Sequence, residues 1–134
     1  MVGATVCSLA TLAVPLASAA PQTSGSGYLA ATGLDGCSGG METYWNNGVY
    51  NVRVTVSAAP NTGSLNYLCT GQLYRNQGGW GPLGPALTVT NGGSTSGDLY
   101  GDNGTLAYVC ITELDTNITV HKPTWNHTSC TAQW

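Results

Sequence analysis

Two histidines and a cysteine near the end of the chain are the residues with the clearest potential for metal chemistry. His121, His127 and Cys130 follow the spacing H-x5-H-x2-C. Imidazole and thiolate are preferred zinc ligands, but this spacing matches no common zinc site. Cys130 is also needed for a disulfide, as argued below. We therefore predict no metal and no other cofactor, and interpret both histidines as exposed side chains.

A short polar segment carries the oxygen atoms that calcium binds. Asp98, Asp102 and Asn103 lie close together, but their order does not match the calcium loop D-x-[DN]-x-[DN]-G. Gly104 directly follows Asp102 and Asn103, which is typical of a tight hairpin turn. We predict a turn here rather than a calcium site.

Serine hydrolases need a nucleophile, a base and a group that orients the base. The segment GSTSG at residues 93–97 has Thr95 where the nucleophile-elbow pattern G-x-S-x-G requires serine. Carboxylates for a triad, or for paired-acid hydrolysis of sugars, are present at Asp35, Glu42, Asp98, Asp102, Glu113 and Asp115. No neighbouring motif marks any of them. We predict a non-catalytic protein, with a small secreted hydrolase as an alternative.

The tryptophans are the strongest candidates for ligand contact. They lie among Gly, Pro or polar residues, at Trp45, Trp80, Trp125 and Trp134. An exposed indole offers a flat surface to a sugar ring or an anchor to a protein partner. Because the chain contains no Phe, tryptophans are also needed to close the ends of a small core, and we expect this role for at least two of them. Trp80 is our first candidate for exposure, followed by Trp45 and Trp125.

Glycine and proline surround Trp80 in the segment RNQGGWGPLGP, residues 75–85. This composition predicts a structured loop or at most an edge strand. A preorganised loop loses little entropy on binding, so an inhibitor of a secreted hydrolase that presents this loop, with Arg75 as a contact, is the second functional hypothesis.

Charge is sparse in this chain, which has a net charge of -3 and only three cations. Arg53, Arg75 and Lys122 are far apart in sequence and form no basic run. Since affinity for phosphate needs several clustered cations, nucleic acid and anionic membrane surfaces are poor partners.

The first residues are typical of a secretory signal peptide. An apolar run at residues 6–16 is followed by Ala17-Ser18-Ala19, the small-x-small pattern of a cleavage site, although no Lys or Arg precedes the run. The run is too short for a membrane span. We predict a signal peptide at residues 1–19 and a single secreted domain at residues 20–134, whose first residues, 20–27, are flexible.

Four cysteines remain after cleavage, and two segments with a shared pattern suggest how they pair. Residues 61–73 and 102–114 both fit [ND]-x-G-[ST]-L-x-Y-[LV]-C-x-x-[QE]-L. In a strand, the Leu, Tyr and Cys of this pattern share one face. Of the three possible pairings, the matched faces favour Cys69 with Cys110, which leaves Cys37 with Cys130.

Short alternating segments predict an all-β fold. Residues 49–56 alternate with Val52, Val54 and Val56 on one face, and residues 58–63 are typical of a turn that closes a hairpin onto the first shared segment. Residues 33–47 contain two Gly pairs and predict a loop pinned by Cys37, whereas residues 118–121 predict a last strand. The chain thus has about six or seven short strands, as in a small disulfide-bonded antiparallel β-sandwich.

Cys69, Trp80 and the Tyr108-x-Cys110 pair resemble the Cys, Trp and Tyr-x-Cys arrangement of immunoglobulin-type sandwiches. The resemblance covers the central half of the chain. It implies an immunoglobulin-like sandwich and no particular function, because that architecture supports many.

Together these observations predict a secreted, non-catalytic binding module that contacts an extracellular glycan or protein at the cell surface or in the medium. The predicted contact residues are Trp80, Trp45, Trp125 and Arg75.

Overall fold

The computed structural model describes residues 26–102 and 104–134. The predicted signal peptide at residues 1–19 and residues 20–25 of the predicted flexible start lie outside these residues, as does Asn103. Ser26 and Gly27, which we assigned to the flexible start, lie in the first strand.

The described residues form ten strands and no helix. In chain order the strands are β1 (Ser26–Ala30), β2 (Cys37–Asn46), β3 (Val49–Ala58), β4 (Leu65–Asn76), β5 (Trp80–Pro82), β6 (Leu87–Thr90), β7 (Ser94–Ser96), β8 (Tyr100–Asp102), β9 (Ala107–Asn117) and β10 (Lys122–Cys130).

These strands form two antiparallel sheets. Sheet I has the order β1-β2-β3, and the far edge of β3 pairs with the short strands β7 and β8. Sheet II has the order β10-β9-β4, and the far edge of β4 pairs with the short strands β5 and β6. Because β3 packs on β4 and β2 on β9, the sheets face each other as a sandwich. The predicted disulfide-bonded β-sandwich is confirmed, with more strands than the six or seven expected.

Aliphatic side chains from both sheets fill the space between them. Val52, Val54 and Val56 of β3 are buried, as their alternation predicts, and they face Leu73 of β4 and Ile111 of β9. Residues 58–63 do not close a hairpin, contrary to our prediction. They carry the chain from β3 in sheet I to β4 in sheet II, so that the two strands lie on opposite sides of this core.

The segment that we predicted to be a loop, residues 33–47, mostly forms β2, the central strand of sheet I. The prediction was wrong because Gly39 and Gly40 have no side chains. The alternation of apolar and polar residues that identifies a strand and its buried face is therefore missing at these two positions. The inward positions continue as Met41 and Thr43, both buried. A central strand can lack side chains where a neighbour comes close to its backbone, and a Cβ at Gly40 would lie only 2.0 Å from the carbonyl oxygen of Leu29.

The predicted last strand at residues 118–121 was also wrong. Asn117 ends β9, and its side-chain oxygen accepts hydrogen bonds from the backbone N–H groups of Thr119 (2.9 Å) and Val120 (3.2 Å). This side chain therefore closes a turn, and the chain returns as β10, which begins at Lys122.

The described cysteines form two disulfides, but the pairing is not the one we predicted. Cys37 is bonded to Cys69, and Cys110 is bonded to Cys130. Cys37–Cys69 joins β2 of sheet I to β4 of sheet II and is buried. Cys110–Cys130 joins neighbouring strands of sheet II, where the two cysteines are also register partners.

The register of β4 and β9 explains this error. The two strands are antiparallel neighbours in one sheet, and Cys69 lies opposite Glu113 while Cys110 lies opposite Gln72. Cys69 therefore points into the core and Cys110 points to the outside of the same sheet, since paired residues share a face. The resemblance to immunoglobulin-type domains rested on Cys69, Trp80 and the Tyr108-x-Cys110 pair, but Cys69 and Cys110 are not bonded to each other here.

Candidate functional site

The four tryptophans are distributed over the molecule and do not form one site. Trp134 is 7 % exposed and belongs to the core. The Trp45 ring packs on Tyr50, with ring centroids 4.3 Å apart, and Tyr50 packs in turn on Trp134 at 4.7 Å. Trp134 thus helps to close one end of the sandwich, whereas Trp45 is 36 % exposed beside it and stays a predicted contact residue.

Trp80 lies on the short edge strand β5, and its side chain is 42 % exposed. Its ring centroid is 4.8 Å from that of Tyr108, which stacks on Tyr74 at 5.1 Å with an interplanar angle of 19°. Tyr74 and Tyr108 are register partners on β4 and β9. We call these three side chains the aromatic strip; it lies on the outer face of sheet II.

Burial, with a smaller contribution from Tyr74, raises the pKa of Tyr108 above its usual value. The hydroxyl of Tyr108 therefore stays protonated at neutral pH and is available as a hydrogen-bond donor.

Uncharged hydroxyl groups extend this face beyond the strip. Four threonines, one from each of the neighbouring strands β6, β4, β9 and β10, lie side by side in register: Thr88, Thr70, Thr112 and Thr128. Two pairs of their hydroxyls are hydrogen-bonded, Thr70 with Thr88 at 3.2 Å and Thr112 with Thr128 at 2.8 Å. The outer face of sheet II therefore combines an aromatic strip with a row of groups that both donate and accept hydrogen bonds.

Arg75, a predicted contact residue, is directed away from the aromatic strip. It lies opposite Ala107 in the register, and its Nη2 donates a hydrogen bond to the carbonyl oxygen of Gly101, 3.0 Å away. Its Nε atom is buried without a hydrogen-bond partner among the described residues. Arg75 therefore connects β4 to β8 across the end of the sandwich and is not a projecting loop side chain.

Trp125, another predicted contact residue, is half-buried on β10 and stacks on His127 with ring centroids 5.2 Å apart. Cys130 has no free thiolate because it is in a disulfide. In residues 26–102 and 104–134, no group of three or more His, Cys, Asp or Glu side chains is arranged to hold a metal ion.

Asp102 orders the segment between β8 and β9, but the hairpin turn that we predicted here was wrong, because β8 belongs to sheet I and β9 to sheet II. Its Oδ1 atom accepts hydrogen bonds from the backbone N–H (3.0 Å) and the hydroxyl (3.3 Å) of Thr105. Burial raises the pKa of Asp102, and it outweighs the opposing effects of these hydrogen bonds and of the nearby Arg75.

The residues considered for catalysis are not assembled in the part of the chain that the structure describes. Neither His121 nor His127 makes a hydrogen bond to a hydroxyl or a carboxylate there. The Ser94 hydroxyl pairs with that of Ser57 at 2.7 Å. The absence of catalysis nevertheless stays a prediction.

Two buried acids were not singled out by the sequence pattern. Glu113 has no exposed surface, and its carboxylate accepts hydrogen bonds from three consecutive backbone N–H groups, those of Asp35 (3.0 Å), Gly36 (2.8 Å) and Cys37 (2.9 Å). Asp115, two residues further on the same face, is 5 % exposed, and its Oδ1 atom has no partner among the described residues. Burial, together with the carboxyl groups of Glu113 and Asp35, raises the pKa of Asp115 to about 6.

Glu113 holds the segment before β2 in place through these three hydrogen bonds. Gly36 is required in this segment because a Cβ there would lie 2.1 Å from the ring of Tyr67. We therefore assign Glu113 a structural role and take the aromatic strip as the candidate functional site.

Comparisons with known protein families, with curated proteins and with solved structures found no match. Across residues 26–102 and 104–134, no helix has the length and apolar character needed to cross a membrane.

Proposed function

We propose that this protein is a secreted, non-catalytic binding module that contacts glycans through the aromatic strip Trp80, Tyr108 and Tyr74. The observation that carries the proposal is the exposure of Trp80 beside two stacked tyrosines on one sheet face. An indole held at the surface by neighbouring rings is preorganised, so little side-chain entropy is lost when a ligand packs on it.

A sugar is the ligand class that this face suits best. The C–H faces of a pyranose are apolar and pack on aromatic rings, while its hydroxyls need partners that donate and accept hydrogen bonds. The threonine row and the protonated Tyr108 hydroxyl provide such partners. Neither the strip nor the threonine row contains a charged side chain, which favours a neutral ligand over an anionic one.

Location outside the cell is part of this proposal. Two disulfides indicate an oxidising environment, because cytosolic thiols are kept reduced. The predicted signal peptide at residues 1–19 also supports export, because such a segment directs a chain to secretion.

Binding of the mature protein to a glycan array and to insoluble polysaccharides tests the proposal. We expect wild-type protein to bind at least one neutral glycan and to show a change in tryptophan fluorescence. Trp80→Ala should weaken that binding at least about tenfold, since an aromatic anchor at the centre of a contact contributes about 1.5 kcal/mol or more.

Val120→Ala is a matched control, because Val120 is an exposed apolar residue in the turn between β9 and β10, away from the strip. It should bind like wild type. Retention of full binding by Trp80→Ala, or binding to protein targets alone, would contradict the glycan proposal.

The inhibitor hypothesis stays a prediction from the sequence. Arg75, the contact residue on which it relied, is engaged with Gly101.

A further inference from the structure

A second open surface lies on the outer face of sheet I, on the opposite side of the molecule from the aromatic strip. It is a shallow groove of about 380 Å³, lined by Gly27, Tyr28, Glu42, Thr43, Tyr44 and Arg53. Three neighbouring strands provide this lining in register, since Tyr28 of β1 lies opposite Glu42 of β2, and Glu42 lies opposite Arg53 of β3. The volume is at the low end of the range for small-molecule sites.

Two tyrosines border this groove. Tyr28 is 52 % exposed and Tyr44 is 46 % exposed, and Tyr44 follows Glu42 by two residues on the same face of β2. Tyr28 and Tyr44 are diagonal neighbours on adjacent strands, a relation that places Cβ atoms about 7 to 8 Å apart. The two tyrosines therefore offer separate aromatic surfaces along the groove.

The Tyr28 ring is held in place across the sheet. Its hydroxyl accepts a hydrogen bond from the Thr55 hydroxyl at 3.4 Å, although Tyr28 is on β1, Thr55 is on β3 and β2 lies between them. The ring must therefore cross β2. Gly40, which lies opposite Thr55 and has no side chain, leaves room for it. This contact orients the Tyr28 ring along the groove before any ligand binds.

The floor of the groove contains an ion pair with unused hydrogen-bonding capacity. The Nε atom of Arg53 donates to Oε2 of Glu42, and both side chains are 33 % exposed. The remaining Arg53 N–H groups and the Glu42 Oε1 atom make no hydrogen bond within the described residues. The pair therefore presents donors and an acceptor side by side, oriented by their mutual contact.

This chemistry matches a neutral sugar. Each hydroxyl of a vicinal diol both donates and accepts, so one diol can bind to Arg53 and Glu42 together, while the C–H face of the ring packs on a tyrosine. The charges of Glu42 and Arg53 cancel locally, and the chain carries a net charge of -3, so an acidic sugar gains little here.

We propose that the groove formed by Tyr28, Glu42, Tyr44 and Arg53 is a second binding site, specific for a neutral pyranose with a vicinal diol. The inference rests on the proposed function only in taking sugars as the ligand class, because the residues and the sheet face are different.

Titration of ¹⁵N-labelled protein with sugars, followed by NMR, tests both sites at once. The probes are the neutral hexasaccharides cellohexaose, xylohexaose, laminarihexaose, mannohexaose and chitohexaose, with tetragalacturonate as the anionic probe. We expect at least one neutral probe to shift the amide signals of Gly27, Tyr44 and Arg53. The Trp80 indole signal reports separately on the aromatic strip.

Tyr44→Ala should weaken binding at the groove about twofold to tenfold, and Arg53→Gln about tenfold or more, without changing the response of the Trp80 indole. Val49→Ala is the matched control, because Val49 is exposed at the hairpin end of the same strands and does not line the groove. Unchanged amide signals elsewhere in each variant verify that the fold is retained.

The possible outcomes separate the two proposals. Shifts at the strip without shifts at the groove would overturn the second site and leave the first. Shifts at the groove alone would support the second site and overturn the aromatic strip as the functional site. Preference of the groove for tetragalacturonate would overturn its assignment to neutral sugars, and no shift with any probe would overturn both proposals.

Discussion

The two disulfides of this protein have different surroundings. Cys37–Cys69 lies inside the sandwich, joins the two sheets and closes 32 residues. Cys110–Cys130 lies on the outer face of sheet II, joins adjacent strands and closes 20 residues. Chain entropy alone gives both bonds a similar stabilisation, about 3 to 4 kcal/mol. Any larger difference in measured stability must therefore come from packing and hydrogen bonding around each bond.

The inner disulfide lies beside a polar anchor. Cys37 contributes one of the three N–H groups that bind the Glu113 carboxylate, so that β2 is attached to sheet II by a covalent bond and by hydrogen bonds at the same point. The outer disulfide has no such anchor. It holds the edge strand β10 against β9, two residues along β9 from Tyr108 of the aromatic strip. The inner bond thus links the two sheets, and the outer bond supports an edge of sheet II near the aromatic strip.

Peptide mapping without reduction gives the most decisive test of this comparison. Trypsin cleaves after Arg53 and Arg75 but not at Lys122, which precedes Pro123, so the chain yields three fragments. The observed pairing joins only the first two fragments, because Cys110 and Cys130 both lie in the third. We expect the third fragment to separate without reduction. Either of the other two pairings would keep all three fragments together.

Removal of the inner disulfide should have the largest effect on stability. We expect Cys37→Ala with Cys69→Ala to lower the free energy of unfolding by about 4 to 6 kcal/mol, as the loss of buried contacts adds to the chain-entropy term. Chemical denaturation monitored by tryptophan fluorescence measures this change.

The matched control is Cys110→Ala with Cys130→Ala. Since Cys130 is exposed and the bond lies within one sheet, we expect a loss of about 3 kcal/mol or less, with faster amide exchange confined mainly to β10. Equal losses for the two double variants would show that the surroundings of the inner bond add nothing.

Glu113→Gln should have the next largest effect. An amide has one acceptor oxygen, and its NH₂ group would face backbone N–H groups that need an acceptor. We expect the free energy of unfolding to fall by about 2 to 4 kcal/mol, because strong hydrogen bonds to a buried carboxylate are lost. Urea denaturation measures the loss, and the exchange rates of the Gly36 and Cys37 amides should rise.

Gln72→Ala is the control for Glu113, because the two residues occupy the same position in the shared sequence pattern. Gln72 lies on the outer face and donates to the carbonyl oxygens of Leu73 (2.9 Å) and Gly84 (3.1 Å). These are neutral bonds near the surface, so the expected loss is about 1 kcal/mol. A loss at Gln72 as large as that at Glu113 would contradict the role of the buried anchor.

The sequence predicted the fold class because strand signals are local. Val52, Val54 and Val56 alternate with polar residues and identified β3 and its buried face without any knowledge of the partner strands. β2 was missed since Gly39 and Gly40 remove the alternation in a strand whose position depends on its neighbours.

Prediction of the pairing failed because β9 has apolar residues on both faces. The pattern of Leu106, Tyr108 and Cys110 predicted that their face is buried. The buried face is instead the opposite one, which carries Val109 and Ile111. Glu113 and Asp115 lie on the same face of β9 as Val109 and Ile111, so the sequence already placed two acids on the buried face. The reason that Glu113 is buried is not local, because its partners are the N–H groups of residues 35–37.

Exposure of Trp80 was predicted from its Gly/Pro context, whereas its contact with Tyr108 depends on strand register.

The acids beside the inner disulfide also predict a pH dependence of stability that arises in that region. The pKa of Asp115 is about 6 in the folded protein and near 3.8 in the unfolded chain, with burial as the main cause and Glu113 and Asp35 adding to it. The folded state therefore binds this proton more tightly, so the free energy of unfolding should fall as the pH rises from about 4 to about 6 and then stay at the lower value.

Asp115→Asn should remove this loss, because an amide stays neutral at every pH. We expect the variant to be about 1 to 2 kcal/mol more stable than wild type at pH 7.5 and about equally stable at pH 4, as measured by urea denaturation at both values. His127 lies opposite Glu113 on β10, so Asp115→Asn is also combined with His127→Gln to separate the contributions of the two residues. A gain in stability at pH 4 equal to that at pH 7.5 would mean that the effect of the variant is packing and not charge, and the region beside the inner disulfide would then be no more sensitive to pH than the region beside the outer one.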